Sequence, residues 1–155
     1  MENWFECKIT YDKDESAGTQ PDTNAKGLNK APKITENYLV NEINYASAER
    51  RIVNEEANKK EKQINFLVKN IKRVNYYEMI LDEPGDRYYK AKILTSMVEK
   101  KGAVTILVHA YNIGETVNII EKQFSDVVII SVADALILDV YPYDPSVIVG
   151  RRPND

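Results

Sequence analysis

The sequence predicts an α+β protein in which a β-β-α-β unit is used twice, with a pseudo-twofold relation between the copies and a mainly antiparallel sheet carrying two helices. Three observations lead there. Alternating apolar residues begin near residue 4 and again near residue 88, each time followed by a second strand and a helical stretch. A Pro84-Gly85 turn separates the two series. WFECKIT at 4–10 matches YYKAKIL at 88–94, and YLVNEINYASAE at 38–49 matches ILVHAYNIGETV at 106–117, sharing Leu-Val and, four positions after that Val, an Asn.

The first strand is expected over 3–12, where Phe5, Cys7, Ile9 and Tyr11 form an apolar face. Residues 13–33 are rich in Gly, Pro, Asn, Asp and Ser and carry almost nothing to bury, so they read as a mobile loop enlarging a hairpin tip. Strand character returns at 34–43. Residues 46–63 are helical by composition, with Ala48, Ile52 and Val53 as the apolar side. INFLVKNIKRVNYYEMIL at 64–81 is long for one strand, and a bend or bulge near Asn70 or Asn75 would divide it.

The second series repeats this order. A strand over 88–98, a tight turn at EKKG 99–102 and a strand over 103–111 make the hairpin. Val117, Ile120 and Phe124 mark a short amphipathic helix at 114–124, and 127–141 is the closing strand. A right-handed crossover through each helix would set the third strand beside the first, in order 2-1-3. The two units then either share one sheet or pack as a pseudo-dimer. The expected division is a first repeat at 1–81, a second at 82–143 and a flexible tail at 144–155, within one compact domain.

Composition narrows the chemistry. At a formal net charge of −3 the chain lacks the basic coat of a general nucleic-acid binder, although 49–73 holds eight basic residues against four acidic. No apolar run approaches roughly 18 residues, so no membrane partner is expected. The N-terminus lacks a secretory pattern and Cys7 is the one cysteine, which together suit a cytoplasmic location.

The motifs Asn3–Lys8 (Asn-Trp-Phe-Glu-Cys-Lys) and Gly85–Lys90 (Gly-Asp-Arg-Tyr-Tyr-Lys), with the Ile-Lys-Arg segment and the closing Asp-Val-Tyr-Pro-Tyr, carry a resemblance over roughly residues 2–143. The chain resembles an uncharacterised family of small proteins from Bacteroidetes and their phages, known only as a domain of unknown function. The resemblance implies a bacterial or phage cytoplasmic protein and no activity. Its short first hairpin differs from the long 13–33 segment here.

Few residues suggest chemistry. His109 lacks the second His or Cys that a metal site needs, and it reads as a polar residue on the open sheet face; no metal and no cofactor are expected. Cys7 reads as core filler. Glu78 and Asp139 occupy equivalent repeat positions, so a pseudo-twofold axis would make them a possible carboxylate pair, against the plainer reading of two solvated strand positions. Tyrosine is in excess, at ten against three Phe and one Trp. Tyr77, Tyr88 and Tyr89 with Lys72, Arg73 and Arg87 form a candidate binding set, in which rings stack and cations hold anions. Tyr88 and Tyr89 must face opposite ways on their strand, so at most one belongs to a surface site.

These features favour a non-enzymatic binding or adaptor protein acting through an exposed sheet face or inter-repeat groove, with another protein or a second copy as partner. Single-stranded nucleic-acid binding is the first alternative. An enzyme or nucleotide-sequestering pocket between the repeats, using Glu78 and Asp139, is the second.

Overall fold

The computed structural model describes residues 3–12, 33–57, 66–98 and 102–144. The expected loop at 13–33, apart from Lys33 at the start of a strand, the end of the first helical stretch, most of the EKKG turn and the tail beyond 144 lie outside the described residues. In chain order the elements are β1 (Asn3–Asp12), β2 (Lys33–Glu42), α1 (Tyr45–Ala57), β3 (Phe66–Val74), β4 (Glu78–Ile80), β5 (Arg87–Leu94), β6 (Val104–Ala110), α2 (Ile113–Gln123), β7 (Val128–Asp134) and β8 (Ile137–Tyr141). The fold is α+β, with two helices and two mostly antiparallel four-stranded sheets among the described residues, ordered β3-β1-β2-β8 and β4-β6-β5-β7. The third strand of each series does lie beside the first, giving the order 2-1-3 in both sheets.

The two hairpins have the same register. Phe5 faces Val40 and Cys7 faces Tyr38 in β1–β2, while Tyr89 faces Val108 and Ala91 faces Ile106 in β5–β6. These are the positions matched by sequence. The shared asparagine is the N-cap of both helices: the Oδ1 of Asn44 accepts the Ser47 N–H at 2.8 Å, and that of Asn112 accepts the Glu115 N–H at 2.7 Å. Buried residues follow the same spacing in both series, Ala48, Ile52 and Glu56 on α1, and Thr116 and Ile120 on α2 with Phe124 at its C-cap. Val53, expected on the apolar side of α1, is exposed instead, because the core-facing row runs through residues four apart.

Two cores result, one per sheet. Phe5, Cys7, Ile9, Tyr38 and Val40 pack with Ala48 and Ile52, and Tyr89, Ala91, Ile93, Ile106 and Val108 pack with Ile120 and Phe124. In β3 the core-facing residues are Phe66, Val68 and Ile71, and in β7 they are Ile129 and Val132, preceded by Val127. Spacing of two and then three means that both strands slip phase at the same point. In β7 the cause is a bulge: Lys92 pairs with Ser131 and Ile93 with Ile129, leaving Ile130 as the extra residue.

Eight strands appear among the described residues rather than six, since both closing segments break, at Asn75–Tyr77 and at Ala135–Leu136. The segments after the breaks do not continue their own sheets. β4 runs parallel to β6, with Glu78 opposite Ile106 and Ile80 opposite Val108, and β8 lies beside β2. Each sequence repeat thus ends by supplying the fourth strand of the other's sheet. The contacts divide the chain accordingly: residues up to Arg73 and from Asp139 onward form one unit, and Val74–Leu138 the other.

Candidate functional site

The residues singled out by sequence fall in both units. Lys72 and Arg73 are exposed on β3, in the first. In the second, Tyr89 packs into the core beneath α2, which removes it from any surface site. Tyr88 points the other way and lies half-buried against His109, the rings 4.7 Å apart. Tyr77 is exposed, with its hydroxyl 3.5 Å from the Met97 carbonyl oxygen that accepts from it. Arg87 is exposed and paired with Asp134 at 2.8 Å. The expected stacking platform therefore has one well-exposed ring, Tyr77.

His109 has a structural task. Its Nδ1 is 2.7 Å from the Glu83 carbonyl oxygen, and because a carbonyl only accepts, that nitrogen carries the proton. The loop so anchored includes Gly85, where an added Cβ would come within 2.5 Å of the Ala110 backbone. Glu78 is exposed at the start of β4, beside an open depression of about 350 Å³ lined also by Asp82 and Gln123. Asp139 is exposed on β8 in the first unit. Cys7 is fully buried, and burial, aided by the Glu6 charge, pushes its thiol up to about 12.

Within the first unit a polar cluster lies where sequence reasoning expected helix surface. The Arg51 guanidinium, with its side chain 4% exposed, bonds Glu42 at 3.2 Å and Glu55 at 2.8 Å, and donates to the Pro142 carbonyl at 3.1 Å. Its Cζ lies 5.8 Å from the centre of the Tyr141 ring. Tyr141 stacks on Tyr38 at 5.8 Å and donates its hydroxyl to the fully buried Glu56 at 2.8 Å. Glu36 accepts from Tyr38 at 2.6 Å and from Tyr11 at 2.8 Å. Burial first, and then hydrogen bonds and negative charge from Glu36 and Glu56, raises the Tyr38 phenol far above its ordinary value. Tyr141 is raised by burial and by Glu56. These phenols hold their protons and are poor nucleophiles; the cluster's chemistry is that of a fastener, joining β8 to α1 and β2.

Each sheet has two edges, β3 and β8 in the first and β4 and β7 in the second. β3 exposes Lys69, Lys72 and Arg73, which have no ion-pair partner among the described residues. At the corresponding positions β7 carries Ile130, Ala133 and Asp134. Its run Val128–Ala133 is uncharged, with Val128 58% and Ile130 51% exposed. Leu94, opposite Val128 on β5, is exposed as well.

A family model described as a domain of unknown function, DUF4494, matches residues 3–143, nearly the whole chain. The chain belongs to that family. No curated protein and no solved structure matches it. In this DUF4494 domain the residues missed by sequence reasoning were legible in part. Arg51 and Glu56 are buried on α1, and Glu56 aligns with Phe124, the C-cap of α2. A charge aligned with a core aromatic is a signal of a buried polar cluster. Nothing in the sequence marked β7 as an edge.

Proposed function

We propose that the protein is a non-enzymatic interaction module that takes up an extended apolar segment of another protein along β7. The observation that supports this is the contrast between equivalent edges. Natural sheets guard open edges with lysines, bulges or very short strands. β3 has its three cations, and β4 is only three residues long. β7 has the bulge at Ile130 but exposes apolar side chains along a strand without charge before Asp134. An unguarded edge is an aggregation risk unless a partner uses it, and strand addition supplies main-chain hydrogen bonds with alternate side chains setting specificity. The nucleic-acid reading keeps the cations of β3 but has lost Tyr89 to the core and Tyr88 to His109. The matched registers, caps and phase slips also support descent of both halves from one β-β-α-β unit. A bacterial or phage source and a cytoplasmic location complete this reading.

A labelled peptide of residues 127–135, VVIISVADA, flanked by lysines for solubility, serves as the added strand. Fluorescence anisotropy should give saturable binding to the full chain, lost in Ile130→Lys and kept in Lys69→Glu. Equal binding to the Ile130→Lys chain, or none to the wild type, removes the reading.

A further inference from the structure

We propose that β8 is an exchangeable strand: the slot beside β2 accepts Ile137–Tyr141 from a second copy of the chain, producing a closed, reciprocally swapped dimer. This inference stands apart from the β7 edge and rests on two other observations.

The first is where β8 is held. Its anchoring contacts, the Tyr141 stack on Tyr38, the Tyr141 hydroxyl on Glu56 and the Arg51 bond to the Pro142 carbonyl, are all made with α1 and β2. Those elements lie some ninety residues earlier in the sequence. Nothing in the slot's chemistry distinguishes a β8 from the same chain from one supplied by a neighbour. The slot is specific all the same, since it requires a phenol that meets both a buried carboxylate and a guanidinium.

The second is the hinge. Only Ala135 and Leu136 separate β7 from β8. Leu136 has φ 59, in the left-handed region that a leucine adopts at a cost, and its side chain is 69% exposed, so packing of that side chain does not offset the cost. The tight turn is closed by the Leu136 N–H, which donates to the Asp134 carboxylate at 2.8 Å. At the equivalent break after β3, Asn75 has no such conformation: Asp126 and Leu136 are the non-glycine residues with positive φ among those described. Straightening the β7–β8 hinge relieves Leu136 and costs the Asp134 bond. It keeps every contact of the slot once a second copy answers in kind. Reciprocal exchange fills both slots, so assembly stops at two chains. Hinge conformation and protein concentration then set the balance between closed monomer and dimer.

The test is sedimentation of the full chain over a wide concentration range, in wild type and two hinge variants. Leu136→Pro forbids the left-handed turn and removes its N–H, and should raise the association constant by at least about tenfold; Leu136→Gly relaxes the closed turn and should lower it by a similar factor. Equal constants in the two variants, or a monomeric wild type at every concentration, overturn the proposal. A complementation experiment covers a proline variant that fails to fold. Tyr141→Ala chains have a disabled strand and Arg51→Met chains a disabled slot, so a mixed swapped dimer regains one intact pairing. Native mass spectrometry should show the mixed dimer above its random share, and a random or lower share refutes exchange. Ile130→Lys separates this from the edge proposal: a swapped dimer survives it, whereas a dimer that disappears was built on β7.

Discussion

Replacing Arg51 by methionine tests the polar cluster most directly. Methionine has a similar length and keeps much of the apolar contact, so the change removes the charge and its donors while largely sparing the packing. Glu42, with its side chain 8% exposed, is then left as a buried carboxylate without its cation. Glu55 at 27% is wetter and loses less, and the Pro142 carbonyl loses a donor. Removing one partner of a buried pair typically costs about 3–5 kcal/mol. Because water still reaches Glu55, the low end applies, about 3 kcal/mol. For a chain of this size that is a fall in Tm of roughly 6–12 °C. Urea unfolding should show a lower midpoint at unchanged slope. The double change Arg51→Met with Glu42→Leu leaves no orphan at Glu42 and should recover about 1–2 kcal/mol of the loss. A single-variant cost under about 1 kcal/mol, or a double variant at the sum of the two singles, would refute the pairing as described.

Gly85→Ala should destabilise by about 1–3 kcal/mol in the same assay, since its Cβ meets backbone rather than a movable side chain. Asn112→Ala should cost about 1 kcal/mol through loss of the α2 cap, and Asn44→Ala a similar amount at α1. Stability should also fall in alkali. Cys7, Tyr38 and Tyr141 are all raised above their ordinary values of 9.0 and 10.0, so their contribution is complete below those values and is lost as pH rises through and beyond them. Urea midpoints measured from about pH 8 to about pH 11 should decline, with a shallower decline in Tyr141→Phe. The Cys7 thiol should resist alkylation at about pH 8 in the native chain and react readily after unfolding.

The hairpins and a division of the 64–81 stretch near Asn75 were expected from the sequence, and the asparagine shared by the two series was visible there too, because each is a local matter. Period-two alternation sets which residues of β1 and β5 face the core. An asparagine before an amphipathic stretch caps a helix whatever lies around it. The exchange of β4 and β8 was not legible, since neither Asn75–Tyr77 nor Ala135–Leu136 says which sheet the following strand will join. That choice is made by partners far away in the chain, such as Tyr38 and Glu56 for Tyr141. The same limit explains the candidate site. Placing Tyr88 and Tyr89 on one strand limits a surface site to one of them, but the open edge at Ile130 depends on which strands end up outermost. Lys69 and Ile130 stand at equivalent positions, and only the finished sheets show that the pair separates a guarded border from an open one.

The late arrival of β8 also bears on how the protein is made. Synthesis runs from the N-terminus, so β1, β2 and α1 leave the ribosome well before Tyr141 exists. During that interval Arg51 and Glu56 await a partner strand, and the edge of β2 has nothing beside it. Closing contacts over so great a separation along the chain makes folding slow and leaves an aggregation-prone interval. A chain cut short just before Asp139 would stay in that condition permanently. β8 thus acts as a check on completion of the fold: the first core is sealed only once the last of its strands has been made.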